Sequence, residues 1–251
     1  MKKIIFISII TFFISNKNYA QYYYKDIVST FQLRFEMENY KTNNFHNIKI
    51  NSIESDGEKS PGFYCEKKIS KDYKKSTLYT KSEGTSKSIL ISYFNNDFTL
   101  ARTYDSSDLV ISTNEYEYDT KNRLIKITTT SQSNDDDFVN KMKEEHLYIY
   151  NEDQNVPERM LRVKNQKDTN LVIFSFDENN NISIEKDTRD ASKYYYYYNN
   201  SKNITDIVHT NEYKQKLVAD YIFEYNNLGQ ITQMTTNEDG SDNYLKWKYT
   251  Y

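Results

Sequence analysis

The chain is 251 residues long, with 33 Lys and Arg against 36 Asp and Glu and a formal charge of −3. So weak an acidic balance, with no basic run, excludes a nucleic-acid partner, because a phosphate backbone demands a positive face; it excludes an anionic membrane surface as well. Twenty-five Tyr and 13 Phe exclude disorder in spite of a mean hydropathy of −0.88, since disordered chains are poor in aromatics.

Lys2 and Lys3 precede an apolar run from Ile4 to Ile14, and Tyr19-Ala20 offers a small residue for cleavage. This is the layout of a secretory signal peptide over residues 1–20, shorter than the roughly 20 apolar residues of a membrane span. Cleavage after Ala20 removes three lysines and no acid, deepening the charge from −3 to −6. No cysteine follows the cut, which disfavours a lipid anchor, and no later apolar stretch is long enough to cross a bilayer. The expectation is an exported protein, periplasmic or extracellular, with no membrane insertion after signal removal. Cys65 is the only cysteine, so no intramolecular disulfide forms, and a buried thiol is preferred to an intermolecular bridge. Stability has to come from burial, for which the length is ample.

Within residues 22–45, Ile27, Val28, Phe31 and Phe35 fit one helical face, with Ser29 or Thr30 placed to cap it. Phe31, Leu33, Phe35 and Met37 also alternate with polar residues as a strand would. The length, the run of Glu, Asn and Lys, and the missing turn signal favour a helix of about three turns over residues 29–42. Short strands follow: Ile48–Ile50, a turn at Asp56-Gly57, Phe63–Ile69, Leu78–Tyr79 and Ile89–Phe94.

From residue 92 a phrase recurs: aromatic-x-aromatic, then Asp or Asn, then a turn, then an aliphatic residue. It reads Tyr116-Glu117-Tyr118-Asp119 to Leu124, Tyr148-Ile149-Tyr150-Asn151 to Val156, and Phe174-Ser175-Phe176-Asp177 to Ile182. It returns as Tyr196-Tyr197-Tyr198-Asn199 to Ile204 and Phe223-Glu224-Tyr225-Asn226 to Ile231. Ser92-Tyr93-Phe94-Asn95 is a degenerate first copy, and Tyr249-Thr250-Tyr251 opens a last one. Aromatics two apart share one face of a strand, and Asp or Asn starts a turn by bonding backbone two residues on. Each phrase is therefore a β-hairpin. Apolar residues at i and i+3 of the returning strands, such as Leu124 and Ile127 or Ile204 and Ile207, require a bulge there.

The phrase resembles the YD repeat of the RHS-repeat family over roughly residues 92–251, although only Asp119 and Asp177 keep the acid and only Gly229 the glycine. The shell built by long arrays of that family does not carry over to so few copies. The expected fold is mainly β: an antiparallel meander of tandem hairpins in one continuous twisted sheet, preceded by one short helix. Residues 21–91 supply the helix and first strands, continuous with the repeats of 92–251.

Chemistry is sparse. His46, His146 and His209 are scattered and form no metal-ligand spacing; His146 falls in an aromatic row and is expected to be packed. Asp135-Asp136-Asp137 is a solvated loop, lacking calcium-loop spacing. No catalytic residue, metal ligand or cofactor is assigned. Tyr194–Tyr198 must place rings on both faces of one strand, with Tyr195 and Tyr197 either covered by the helix or forming an aromatic platform for a glycan or another envelope protein. Leu245, Trp247, Tyr249 and Tyr251 form a last strand with one open edge, expected to pair with a second copy of the chain or a partner strand. The function expected is a non-catalytic binding or scaffold module of the bacterial cell envelope, using an aromatic sheet face or that edge. The alternatives are an extracytoplasmic enzyme acting on polysaccharide or peptide and, implied by the resemblance alone, a toxin- or immunity-associated repeat protein.

Overall fold

The computed structural model describes residues 23–54, 56–84, 87–107, 110–133, 141–189, 192–211, 216–237 and 244–250. The expected signal peptide, Asp135 to Asp137 and Tyr251 lie outside these residues. One helix, α1 (Tyr24–Thr42), precedes sixteen strands. The first are β1 (Asn47–Ile53), β2 (Tyr64–Ile69), β3 (Lys75–Lys81) and β4 (Ser88–Phe94). The phrases then supply β5 (Leu100–Ser106), β6 (Val110–Tyr118), β7 (Leu124–Ser133), β8 (Lys141–Ile149), β9 (Arg159–Lys164) and β10 (Asp168–Phe176). The last are β11 (Ile182–Asp187), β12 (Lys193–Tyr198), β13 (Ile204–Asn211), β14 (Lys216–Tyr225), β15 (Ile231–Asn237) and β16 (Tyr244–Thr250).

Five phrases build one and the same turn. The Asn or Asp after the aromatic strand donates its N–H to the carbonyl four residues on, as in Asp119 to Arg123, Asn199 to Asn203 and Asn226 to Gln230. In four of the five its side-chain oxygen accepts two further N–H groups, for Asn226 those of Leu228 and Gln230, whereas in the turn at Asn95 the Thr99 N–H goes to Asp97. The left-handed residue that closes the turn is Phe98, Asn122, Asn180, Lys202 or Gly229, with φ of 62, 59, 60, 63 and 74°. The returning strand then holds one extra residue, since pairing skips Ala101, Ile125, Ser183, Thr205 and Thr232. This is the expected bulge, and it brings Leu124 and Ile127, and Ile204 and Ile207, to the same buried face. Successive phrases are also tied together. Tyr118, Tyr150, Tyr198 and Tyr225 donate their hydroxyls to the carbonyls of Leu100, Leu124, Ile182 and Ile204 at 3.0, 2.8, 2.7 and 2.7 Å.

Strands pair antiparallel in chain order, but the sheet does not stay open. The bulges recur at the same end of each hairpin, where they bend and twist the strands, and β16 meets β1 to close a barrel. Ile50 stands opposite Tyr249 and Ser52 opposite Trp247. The expected edge at Leu245, Trp247 and Tyr249 is thus sealed by the molecule's own first strand, and the ground for a homodimer through it is gone. The YD-repeat resemblance is corrected too: the hairpins form, but as one closed barrel rather than as a repeat array of that family. The toxin or immunity association rested on that resemblance and falls with it.

Rows alternate around the barrel. On β3, Ser76, Leu78 and Thr80 point in, while Lys75, Thr77, Tyr79 and Lys81 point out. Cys65 is buried beside Thr80. Sixteen strands enclose a lumen too wide for strand side chains alone to fill, and α1 occupies it. Its 19 residues reach about 28 Å at 1.5 Å each, joining two apolar clusters. Tyr23 and Tyr24 pack with Tyr148, Phe174 and Tyr196; Met37 and Tyr40 pack with Ile48, Leu78, Leu100 and Trp247.

Among the described residues no helix is long and apolar enough to cross a membrane. The expected absence of membrane insertion does not survive, however, because a closed antiparallel barrel is the form in which strands cross bilayers. The outward face is divided. Over β9–β14 it carries Leu161, Leu171, Ile173, Ile184 and Ile222, Ile173 and Ile222 both 41% exposed, interleaved with charged Lys186, Lys193 and Asp206. Over β6–β8 it is charged, with Lys126 3.4 Å from Glu117 and 3.2 Å from Glu145.

Candidate functional site

The N-terminus of α1 is seated by a buried polar cluster on the inner rows of β8, β9, β11 and β12. Neither Ser29 nor Thr30 caps the helix, and Tyr23 at the cap position offers no side-chain bond. The cap comes from Glu185 instead, whose two carboxylate oxygens accept the N–H groups of Tyr23 and Tyr24 at 2.7 Å each. Tyr196 adds its hydroxyl at 2.8 Å. Burial pushes the Glu185 carboxyl up to about 7, against the pull of these three donors, and the positive end of the helix favours an anion at this position. Beside it, His146 Nδ1 lies 2.6 Å from Asp26 of the helix and Nε2 lies 2.9 Å from Glu144. Burial opposes charge on the ring, but the two carboxylates outweigh it and hold the imidazole up to about 9. Glu144 is held down to about 2: burial works against its charge, while His146 and Arg162, the latter at 2.7 Å, more than offset it. Tyr148 donates to Asp26 at 2.8 Å.

These residues do one thing together: they pin α1 inside the barrel. His146 is packed, as its place in the aromatic row led one to expect, yet it is the centre of an ion cluster no motif announces. The available signal was parity. Glu144, His146 and Tyr148 alternate on the inward row of β8, so two ionisable groups were bound to enter the core. Among the described residues, no group of three or more His, Cys, Asp or Glu is placed to hold a metal ion.

The outer face of α1 and the hairpin turns bound a cleft of about 870 Å³ at one mouth of the barrel. The helical face formed by Ile27, Val28, Phe31 and Phe35 lines this cleft, with Ile27 and Val28 also packed against the core. Tyr24, Thr30, Met37 and Tyr40 are the buried ones. Phe31 is 73% exposed and Phe35 37%. Phe35 lies over the turn at Gly229, where its ring would be 3.6 Å from an added Cβ.

On β12, Tyr194 and Tyr196 are buried in the core, Tyr196 against the ring of Tyr24 and Tyr194 beside His209. Tyr195 and Tyr197 stand outside, Tyr197 48% exposed. The helix packs on the opposite face, so it does not cover them. Tyr195 is paired across the strands with apolar Ile184 and Val208.

Fold and site together define a closed antiparallel barrel plugged by its own N-terminal helix. No family model matches the chain, the YD-repeat family therefore included, and no curated protein matches it. Among solved structures, a porin-like protein from Bacteroides uniformis is similar at 11% identity and a TM-score of 0.46, over 82% of this chain and 97% of that one.

Proposed function

We propose that the chain is an exported, non-catalytic binding module of the bacterial cell envelope, a rigid plugged barrel that meets another envelope component through its outer aromatic face. The observation that carries this reading is the position of Tyr195 and Tyr197 outside the barrel, with Tyr195 flanked by apolar Ile184 on one strand and Val208 on the other. Contiguous exposed apolar area of this kind marks contact surfaces. The signal-peptide pattern of residues 1–20 supports export. The non-catalytic reading is supported by what the buried ionisable groups already do, since Glu144, His146, Arg162 and Glu185 are bonded to one another or to the helix.

Fractionation of cells making the tagged protein tests this. The envelope-bound form should begin at Gln21, and Tyr195→Ala with Tyr197→Ala should release it from the envelope while lowering stability by no more than about 1 kcal/mol, as exposed cross-strand pairs do. Loss of several kcal/mol in urea melts would mean that the two rings are core, and would reject the contact surface. Release of reducing ends or peptides from cell-wall polysaccharide or protein would favour the enzyme instead.

A further inference from the structure

We propose that the cleft between α1 and the turns of β12–β13 and β14–β15 binds a neutral oligosaccharide, with a sugar ring laid on Phe31 and hydroxyls met by the amides of the turns. The proposal rests on the exported, non-catalytic reading but uses a different surface from Tyr195 and Tyr197.

Size comes first. About 870 Å³ lies within the range of ligand clefts. The lining is the stronger argument. Nine of its 24 residues are Asn or Gln and only Glu36 and Lys202 carry charge, and Glu36 is already held by Lys67 at 2.7 Å. A phosphate or carboxylate ligand would meet no cluster of cations here. An amide offers one donor group and one acceptor, the complement of a sugar hydroxyl, which also does both. Among the described residues, the Asn203 and Asn227 side chains make no intramolecular hydrogen bond, unlike Asn226, whose amide is tied to Gln230 at 2.8 Å.

Aromatic rings complete the chemistry. Phe31 is the most exposed large apolar side chain described, at 73%, although the helix has a buried face available. Its ring presents a negative π face suited to the C–H face of a pyranose. Tyr198 and Tyr225 have committed their hydroxyls to backbone carbonyls and contribute ring surface only. An extended peptide would be the rival ligand for such amides, but peptides gain most of their affinity by adding to a strand edge, and the barrel is closed.

The test is an array of neutral gluco-, manno-, xylo- and chito-oligosaccharides, with sialylated and sulfated glycans beside them, followed by calorimetric titration of the strongest neutral binder. Mature protein should retain neutral glycans in preference to anionic ones. Phe31→Ala and Asn203→Ala should each weaken binding by about tenfold or more, with far-UV signal and melting unchanged, while Phe31→Trp retains it. The Tyr195→Ala, Tyr197→Ala protein should bind as wild type. Retention of anionic glycans only, of none, or full binding by Phe31→Ala would overturn the proposal. New reducing ends in the titrated sample would overturn the non-catalytic reading, whereas an intact, unbound glycan overturns this one.

Discussion

His146 shows how much one inward-facing side chain decides. Both ring nitrogens face carboxylates, at 2.6 Å to Asp26 and 2.9 Å to Glu144, so both must donate, and only the charged imidazolium can. Arg162 on Glu144 and the edge of the Tyr23 ring complete its surroundings. The folded value of about 9 lies above the ordinary 6.5. The stabilisation is therefore complete below pH 6.5 and is lost as pH rises through about 9. A rise of that size corresponds to about 3 kcal/mol. Glu185, pushed from 4.5 to about 7 by burial, loses its own contribution between those two pH values, so total stability alone would not isolate His146. The difference between wild type and His146→Gln does. In urea melts it should shrink by about 3 kcal/mol between pH 6 and pH 9.5, and a constant difference would show that the ring is neutral in the folded protein.

At the scale of elements, the hairpins were legible and the helix only half so. A turn is encoded within nine residues: the aromatic pair, the Asn or Asp that bonds the backbone, the left-handed residue and the returning aliphatic are all local. Even the bulge could be read, from Leu124 and Ile127 sharing a face that an ideal strand would deny them. Closing residues are unequal in cost, because a non-glycine in the left-handed region is strained by about 1 kcal/mol. Gly229→Ala should therefore destabilise by about 1 kcal/mol, since an added Cβ there meets only ordinary contact with Phe35 at 3.6 Å and its φ of 74° carries the cost. Lys202→Gly, at φ 63°, should be neutral or stabilising, and thermal melts of the two would expose any other origin. For α1 the length favoured a helix, and a helix formed. Its cap was illegible because Glu185 is 161 residues from Tyr24. Its most buried residues were illegible for a related reason. The apolar stripe of Ile27, Val28, Phe31 and Phe35 is what amphipathicity selects, whereas the barrel selects Tyr24, Thr30, Met37 and Tyr40 by shape and hydrogen bonding.

For the whole molecule the decisive fact is closure, and no single segment carries it. Ile48, Ile50 and Ser52 alternate inward on β1 as Leu245, Trp247 and Tyr249 do on β16, and either row alone reads as a half-buried strand waiting for a neighbour. Whether that neighbour is the far end of the same chain or a second copy depends on how far the bulges curl the sheet and on whether something fills the lumen. Here α1 fills it. Asn51 and Lys248 are direct partners across the β1–β16 seam, and opposed residues of an antiparallel pair lie about 4.5–5.5 Å apart at Cα, within disulfide range. Asn51→Cys with Lys248→Cys should oxidise within one molecule, giving a monomer on a non-reducing gel and one peptide linking positions 51 and 248 by mass spectrometry. Cys65 will not compete, because burial pushes its thiol up and it faces Thr80 inside the barrel. An open meander that dimerises through its last strand would give a cross-linked dimer instead, and that result would undo the closed barrel and the plugged lumen with it.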